Sequence, residues 1–313
     1  MDFKSCFDQV SHLLPDALMD STLKSNISRH VPIFPEFSVA SIECHLDSSV
    51  PRVDVAIGYE LELVRTNKSS LPLQPKSLFD VILNTESFSP AIRGVWFNYD
   101  FSQMENALPW SYLVFNRLNL GLVFDLTLIT RIMDLSGWGT SHDPAFLKSI
   151  LTPLPPGAFI MGLALPGNRN ADMYRLVIYG IHFPDVLPYL EAIPGIPHLG
   201  SVRNMFNGLE SSISACGILM DIMNNQWIKK IGFELLNDRQ DGTMKINQAI
   251  DHIGQHGLLD HTKWGGLKLF RPYESKHSNQ ETISLWLNHI KLVIDQESQW
   301  SVKSYFGVQS VIQ

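Results

Sequence analysis

The sequence predicts an α/β protein in which five β-hairpins close into a ten-stranded antiparallel barrel surrounded by helices. Apolar and polar residues alternate in five separate stretches, which is the period of a β-strand. Segments with apolar residues three and four positions apart separate these stretches, so that helix and hairpin recur roughly every 55 to 70 residues, as in a structural repeat. Closing about ten strands removes the sheet edges and leaves room inside for a ligand.

Composition and charge narrow the functional classes. The chain has 313 residues, of which 45% are hydrophobic and 18% charged, as expected for a folded protein, and without a Gly- or Ser-rich linker we predict one domain over residues 1–313. A net charge of -7 and a pI near 5.9 argue against nucleic acid or an anionic membrane surface as the partner. The start lacks the pattern of a secretory signal, and no stretch reaches the roughly 20 apolar residues of a membrane span, which predicts a cytoplasmic protein. The three cysteines form no CxxC pair and predict core thiols.

Strands and helices follow from local periodicity and turn residues. The predicted hairpins occupy residues 38–64, 94–116, 158–181, 216–236 and 289–308. Turn signals between strands are Ser-Ser-Val-Pro in the first hairpin, PGNRNAD in the third and Asn224-Asn225 in the fourth. The predicted helices occupy residues 76–84, 119–134, 184–192, 201–214, 243–257 and 279–287.

The polar face of the hairpins carries an unusual number of charged and aromatic side chains. Its members are Glu43, His45, Asp54, Trp96, Asn98, Arg175, Tyr179, Lys230, Glu234, Lys291, Lys303 and Tyr305. On an ordinary half-buried sheet this face would meet water. In a barrel covered by helices it would line a polar lumen, and the sequence leaves both interpretations open.

The pattern of elements resembles the ABBA prenyltransferases, which include the enzymes that prenylate cyanobactin peptides in natural-product biosynthesis. The resemblance covers nearly the whole chain, and two local segments support it. "PIFPEFSVASIECHL" is similar to the entry of the family's first barrel strand, and "VKSYF" is similar to its basic-x-Tyr pattern facing a diphosphate. The resemblance implies a PT barrel that transfers a dimethylallyl or geranyl group from an allylic diphosphate to an aromatic or other nucleophilic side chain, including one within a peptide.

The resemblance also implies roles for individual residues. Ionising an allylic diphosphate requires preorganised cations and hydroxyl donors. The candidates for this role are Arg175, Tyr179, Lys230, Lys291, Lys303 and Tyr305. Glu43 matches the family's catalytic carboxylate, or Ser41 takes that place if the register differs by a pair. His45, Trp96 and Asn98 are candidates for the acceptor pocket.

The predicted lumen departs from the family pattern in its charge. The carboxylates of Asp54, Asp100, Asp221 and Glu234 would partly cancel the cationic field. Mg2+ bound with the diphosphate, as in some family members, would restore the balance. The sequence predicts no dedicated metal ligands of the DDxxD kind and no organic cofactor.

Two other functions remain open from the sequence. One is a non-catalytic barrel that binds a peptide or hydrophobic ligand. The other is a metal-dependent hydrolase, because His252 and His256 share one helical face near His261, although the glutamate of HExxH is missing. Neither a phosphate-binding GxxxxGK[ST] motif nor a GxSxG nucleophile motif occurs.

Overall fold

A computed structural model describes eleven strands and nine α-helices over most of the chain. The described residues are 2–30, 37–66, 91–101, 110–118, 122–135, 144–165, 173–196, 198–223, 227–236, 242–276 and 281–312. The strands are β1 (Val39–His45), β2 (Val53–Glu60), β3 (Ile92–Asp100), β4 (Trp110–Leu118), β5 (Phe159–Leu165), β6 (Met173–His182), β7 (Ala215–Met223), β8 (Trp227–Leu236), β9 (Tyr273–Lys276), β10 (Glu281–Asp295) and β11 (Trp300–Ile312). The helices are α1 (Phe3–Val10), α2 (Ser21–His30), α3 (Leu61–Thr66), α4 (Leu122–Leu135), α5 (Pro144–Leu151), α6 (Val186–Ala192), α7 (Leu199–Phe206), α8 (Gly242–Gln255) and α9 (His261–Leu269).

The strands form a closed antiparallel ring. Each strand from β1 to β7 pairs with the next in sequence, β8 pairs with β10, and β10 pairs with β11. The pairing of β11 with β1 completes the circle, while β9 lies outside it and pairs only with the first half of β10. This confirms the predicted ten-stranded barrel of five hairpins.

The hydrophobic core lies between the outer face of the ring and the helices. On β2, Val53, Val55 and Ile57 are fully buried, and they belong to the same apolar cluster as Phe3 and Phe7 of α1. Burying apolar side chains from both layers is the main stabilising contribution, about 25 cal/mol per Å². The polar side chains on alternate positions must therefore point into the ring.

One predicted helix is wrong. Residues 281–287 of the predicted helix 279–287 belong to β10, while 279 and 280 lie outside the described residues. The strand has a bulge between Leu287 and His289. Because a bulge inserts one residue, the positions that face the hydrophobic core change from odd to even numbers. The fully buried Ile283 lies before the bulge, and the fully buried Ile290 lies after it. This change of phase hid the alternation and left Ile283, Trp286 and Leu287 at a helix-like spacing.

The remaining helix predictions differ in extent. The helix predicted at 119–134 corresponds to α4, and the one at 243–257 corresponds to α8. The helix predicted at 184–192 is a short 3-10 turn followed by α6, and the one at 201–214 is the shorter α7. The predicted helix 76–84 and the turns PGNRNAD and Asn224-Asn225 lie outside the described residues. The helix α1 was not predicted, although its buried residues Phe3, Cys6, Phe7 and Val10 have helical spacing and Asp2 caps it by accepting a 2.8 Å hydrogen bond from the Ser5 backbone N–H.

A buried lysine on α9 anchors the first hairpin. The ammonium of Lys263 donates to the backbone carbonyls of His45, at 2.7 Å, and Val50, at 2.9 Å. Lys263 is 1% exposed, and burial lowers its pKa. The two charge-assisted bonds hold the turn that follows β1 and therefore help to orient the lumen face of that strand.

None of the helices in the described part of the chain is long and apolar enough to cross a membrane.

Candidate functional site

A cavity of about 600 Å³ opens inside the barrel. Its lining includes eight of the residues that the sequence analysis selected: Glu43, His45, Asp54, Asn98, Arg175, Lys230, Lys291 and Lys303. They come from seven different strands and converge only because the ring is closed. The polar strand faces therefore bound a lumen, and the interpretation of a flat, water-exposed sheet does not apply to them.

Glu43 on β1 is held by two neighbours on β11. The Lys303 ammonium and the Tyr305 hydroxyl each donate to its carboxylate, while Lys303 also lies 4.0 Å from Asp54. Burial opposes the ionisation of Glu43, but the charges of Lys303 and Lys291 outweigh it and hold the pKa of Glu43 below its ordinary value. Glu43 is therefore ionised in the unliganded protein.

Asp54 on β2 lies beside Glu43 in the same corner of the cavity. Its Oδ2 is 3.3 Å from His45 Nε2, which is also 3.7 Å from Glu43 Oε1. Burial and the negative charge of Glu43 raise the pKa of Asp54 to about 8, whereas burial together with the Lys303 charge lowers the pKa of His45 to about 4. The corner thus combines an ionised carboxylate, a carboxyl group that retains its proton near neutral pH, and a neutral imidazole.

Arg175 on β6 is engaged by a carboxylate and a phenol. It forms a bidentate ion pair with Asp221 of β7, with Nε–Oδ1 at 2.5 Å and Nη2–Oδ2 at 2.9 Å. Its Nη1 donates to the Tyr112 hydroxyl at 2.6 Å, and the guanidinium lies 4.7 Å from the centre of the Trp110 ring. These contacts fix the orientation of the Arg175 guanidinium at the cavity wall.

Glu234 on β8 organises a second buried group. It accepts a hydrogen bond from Tyr179 and lies 3.7 Å from the Lys291 ammonium. Burial lowers the pKa of Lys291 to about 8, although the negative charge of Glu234 acts in the opposite direction. Gly232 makes space for this lysine, because a Cβ there would lie 2.8 Å from Lys291 Cε.

The other predicted site residues lie around the cavity rather than on its surface. Trp96 is half-buried on the same strand face as Asn98, and its ring covers Gly58. Tyr179 and Tyr305 direct their hydroxyls to Glu234 and Glu43. Neither tyrosine is among the lining residues, so their hydroxyls support the lumen carboxylates.

Several lining residues were not selected from the sequence. They include Arg52, Trp110, Tyr112, Lys229 and Trp300. On β4, Trp110 and Tyr112 occupy even-numbered positions, and the buried Leu113 and Phe115 occupy odd-numbered ones. This alternation could have identified Trp110 and Tyr112 as lumen residues. Arg52 and Lys229 lie near strand ends, where alternation cannot tell a residue at the barrel mouth from one in a solvent-exposed turn.

Charge is distributed unevenly around the lumen. An acidic wall, defined by Glu43, Asp47, Asp54 and Asp100, belongs to β1, β2, β3 and the turn after β1. A basic wall, defined by Arg175, Lys229, Lys230 and Lys291, belongs to β6, β8 and β10, and the carboxylates of Asp221 on β7 and Asp295 on β10 line the same side of the cavity. In a ring of ten strands, β1 lies across from β6 and β3 from β8, so Arg175, Lys229 and Lys230 face the acidic wall. Lys291 on β10 lies only two strands from β1, and its charge lowers the pKa of Glu43.

The predicted zinc-binding histidines have structural contacts instead. The Nε2 of His252 lies 3.1 Å from the Met205 carbonyl, and its ring packs 4.8 Å from that of His256. Among the described residues, the group with three ligand atoms within 4.8 Å of one another is Glu43, His45 and Asp54. The geometry therefore does not favour the metal-dependent hydrolase.

Comparisons with known proteins identify the fold. No family model and no curated protein matches the sequence. The structure is similar to the prenyltransferase PriB, with a TM-score of 0.59 and 10% identity over 96% of this chain and 94% of that one. It is also similar to 5-dimethylallyl tryptophan synthase from Streptomyces coelicolor in complex with DMASPP and Trp, with a TM-score of 0.57 and 11% identity over 96% and 92% of the two chains. A third similar structure is NotF in complex with brevianamide F and DMSPP, with a TM-score of 0.55 and 10% identity over 97% of this chain and 92% of that one. The resemblance deduced from the sequence therefore holds for the architecture: this chain has the fold of the prenyltransferase barrels.

Proposed function

We propose that this protein transfers an isoprenyl group from an allylic diphosphate to a nucleophilic acceptor inside the barrel. The observation that carries the proposal is that Arg175, Lys229 and Lys230 face the acidic wall across the lumen. One wall presents cations to a leaving group, and the other presents carboxyl groups to a nucleophile, within a cavity of about 600 Å³. Solved prenyltransferases of the same fold bind a dimethylallyl thiodiphosphate and an aromatic acceptor together.

The basic wall suits the departing diphosphate. Arg175, Lys230 and Lys291 project from three strands toward one space, with Lys303 at the seam between the walls. Positive charge fixed in place before the reaction stabilises the negative charge that develops as the C–O bond breaks. The diphosphate would compete with Asp221 for Arg175, which gives the binding reaction its main cost.

The opposite wall suits the proton transfer. The acceptor forms its new bond to the allylic carbon while diphosphate leaves with the C–O electron pair, and Glu43 takes the proton that the acceptor loses. Movement of Lys303 from Glu43 to the diphosphate would remove the charge that depresses the pKa of Glu43, so donor binding would make the base stronger. Tyr305 and Tyr179 hold Glu43 and Glu234 in position.

The residues present do not match a magnesium site. Mg2+ prefers oxygen ligands and usually joins one or two carboxylates to substrate phosphates. In the lumen Asp221 is paired with Arg175, Glu43 is paired with Lys303, and the nearby His45 supplies nitrogen. We therefore propose that protein cations alone hold the diphosphate.

Calorimetric titration with dimethylallyl and geranyl thiodiphosphate tests the proposal, because these analogues ionise poorly. We expect saturable micromolar binding by the wild type with and without Mg2+, and weaker binding by the Lys303→Ala variant. The Lys268→Ala variant, which changes a lysine on α9 that pairs with Asp251 on the outer surface, should bind like the wild type. Absence of binding in both conditions would refute prenyl transfer and favour a non-catalytic barrel for a peptide or hydrophobic ligand.

The acceptor is proposed from the same fold likeness and is a second question. Tryptophan and brevianamide F in the solved complexes suggest an aromatic group, and a peptide acceptor is the finer alternative implied by the cyanobactin enzymes. Product formation with dimethylallyl diphosphate and blocked amino acids, followed by mass spectrometry, distinguishes these acceptors.

A further inference from the structure

We propose that the acceptor group in this lumen is a guanidinium, held by Asp54 and Glu43 on the acidic wall. The inference rests on the proposed function and names its acceptor class. It differs from the indole acceptors of the structural neighbours, and it follows from the charge and the unfilled hydrogen-bond acceptors of one corner of the cavity.

The first observation is the concentration of carboxyl groups on one side of the lumen. The acidic wall contains four carboxyl groups, Glu43, Asp47, Asp54 and Asp100. The cations near them are Arg52, which lies 3.4 Å from Asp100, Lys303 at Glu43, and Lys291, whose charge lowers the pKa of Glu43. His45 is too deeply buried to ionise readily near neutral pH. Asp54 keeps its proton near neutral pH in the unliganded protein, and a cationic ligand beside it would lower its pKa and favour the carboxylate, which a neutral ring would not do.

The second observation is an acceptor atom without a donor. Asp54 is 7% exposed, and its Oδ1 has no hydrogen-bond partner although its Oδ2 lies beside His45. A buried carboxyl oxygen without a donor costs free energy, and a ligand that supplies an N–H removes that cost. The atom lies at the cavity wall, where a ligand can reach it.

The number of donors decides between acceptor groups. Asp54 and Glu43 occupy the same corner, and one ligand atom from each lies within 4.8 Å of the other. An indole offers one N–H and a phenol one O–H, so neither can serve both carboxyl groups. A guanidinium has five N–H donors in a planar fork and pairs with carboxylates in two-point contacts.

The chemistry balances with the groups present. The bound guanidinium loses one proton to the Asp54–Glu43 pair, which passes it to water at the cavity mouth. The neutral nitrogen then attacks the allylic carbon, forming a C–N bond while diphosphate leaves with the C–O electrons. The alkylated product is again a guanidinium, and the basic wall retains the diphosphate until release.

The test compares three acceptors with the same blocked termini. N-acetylarginine amide, N-acetyltryptophan amide and N-acetyllysine amide are incubated separately with dimethylallyl diphosphate, and kcat/KM is measured for each. We expect arginine to exceed the other two by about 100-fold or more, because a site built for several donors rejects ligands that lack them. A preference for tryptophan or lysine would overturn the inference.

Variants locate the recognition. Asp54→Asn, which keeps the shape but cannot ionise when a guanidinium binds beside it, should reduce kcat/KM for the arginine compound by about 30-fold or more. Asp16→Asn, a change at an exposed carboxylate far from the lumen, is the matched control and should have no effect. Equal arginine activity in Asp54→Asn and wild type would place the guanidinium elsewhere and contradict the assignment.

Binding without turnover separates this inference from the proposed function. The calorimetric titration is repeated with N-acetylarginine amide alone and with dimethylallyl thiodiphosphate alone. Donor binding without arginine binding would overturn the guanidinium site and leave prenyl transfer standing. Arginine binding that Asp54→Asn abolishes, without donor binding, would support the site and refute prenyl transfer. A tightly bound divalent metal in the purified protein that His45→Ala removes would also overturn the site, because the metal would occupy the same ligands.

Discussion

The buried ion pair between Arg175 and Asp221 makes an unusual prediction, in which one substitution weakens the fold and strengthens donor binding. Asp221→Asn keeps the shape of the side chain and removes the charge that occupies the guanidinium. Because the two side chains are 19% and 8% exposed, removing one partner leaves the other charge poorly solvated. The Tyr112 hydroxyl and the cavity mouth relieve part of that cost.

The size of each effect can be estimated. Loss of one partner of a buried pair costs about 3–5 kcal/mol, and we expect about 2–3 kcal/mol here because the arginine borders the cavity. At about 2.1 cal/mol/K of unfolding entropy per residue, this lowers Tm by about 3–5 °C for 313 residues. Removing one negative charge about 7 Å from the diphosphate, at an effective dielectric constant of about 20, favours donor binding by about 2 kcal/mol, or about 30-fold.

Two measurements on the same preparation check the prediction. Thermal denaturation reports the loss of stability, and calorimetry with dimethylallyl thiodiphosphate reports the gain in affinity. Glu191→Gln breaks the exposed pair with Arg203 on the outer surface and should change neither quantity appreciably. Weaker or unchanged donor binding by Asp221→Asn would refute the idea that the diphosphate competes for Arg175.

Three further substitutions test other parts of the structure. Glu43→Gln should lower turnover by about 10²–10⁴-fold while thiodiphosphate affinity stays within about threefold, measured by steady-state kinetics and calorimetry; loss of folding would instead assign Glu43 a structural role. Asp54 has a raised pKa of about 8, so between about pH 6.5 and 8 the folded state binds a proton that the unfolded state has lost, and stability should fall as pH rises. His45 has a lowered pKa of about 4, and its titration makes stability rise with pH only below about pH 6.5. Between pH 6.5 and 8, Tm should therefore fall less with pH in Asp54→Asn than in the wild type. The same dependence of Tm on pH in both proteins would contradict the raised pKa of Asp54. Lys263→Met should destabilise the protein by about 2–4 kcal/mol because it leaves the carbonyls of His45 and Val50 without their donor, and an unchanged Tm would show that water replaces it.

Much of the fold could be predicted because strand alternation is a local property. Val53, Val55 and Ile57 alternate with polar residues within a single strand, and no distant contact is needed to recognise that. The prediction failed at β10, where the bulge before His289 changes which positions are buried. A bulge depends on the register with two neighbouring strands, and the sequence of one strand does not contain that information.

The site was predictable only in part. Glu43, Arg175, Lys291 and Lys303 could be selected because they occupy polar positions opposite apolar ones. Which of the selected residues pair with one another could not be predicted, because Asp221 is 46 residues from Arg175 and Lys303 is 260 residues from Glu43. Which carboxylate meets which cation depends on the closure of the ring.

By itself, the sequence determined the hairpins, the polar face that each of them carries and the candidate cations, because each follows from residue type and local period. It left open whether those faces meet water or line a lumen. Only the tertiary structure decided that the cations are paired with carboxylates and that the two kinds of charge face each other across the lumen. The physical reason is that Coulomb interactions and hydrogen bonds act over a few ångströms of space, and closure of the barrel brings together side chains that the chain itself keeps far apart.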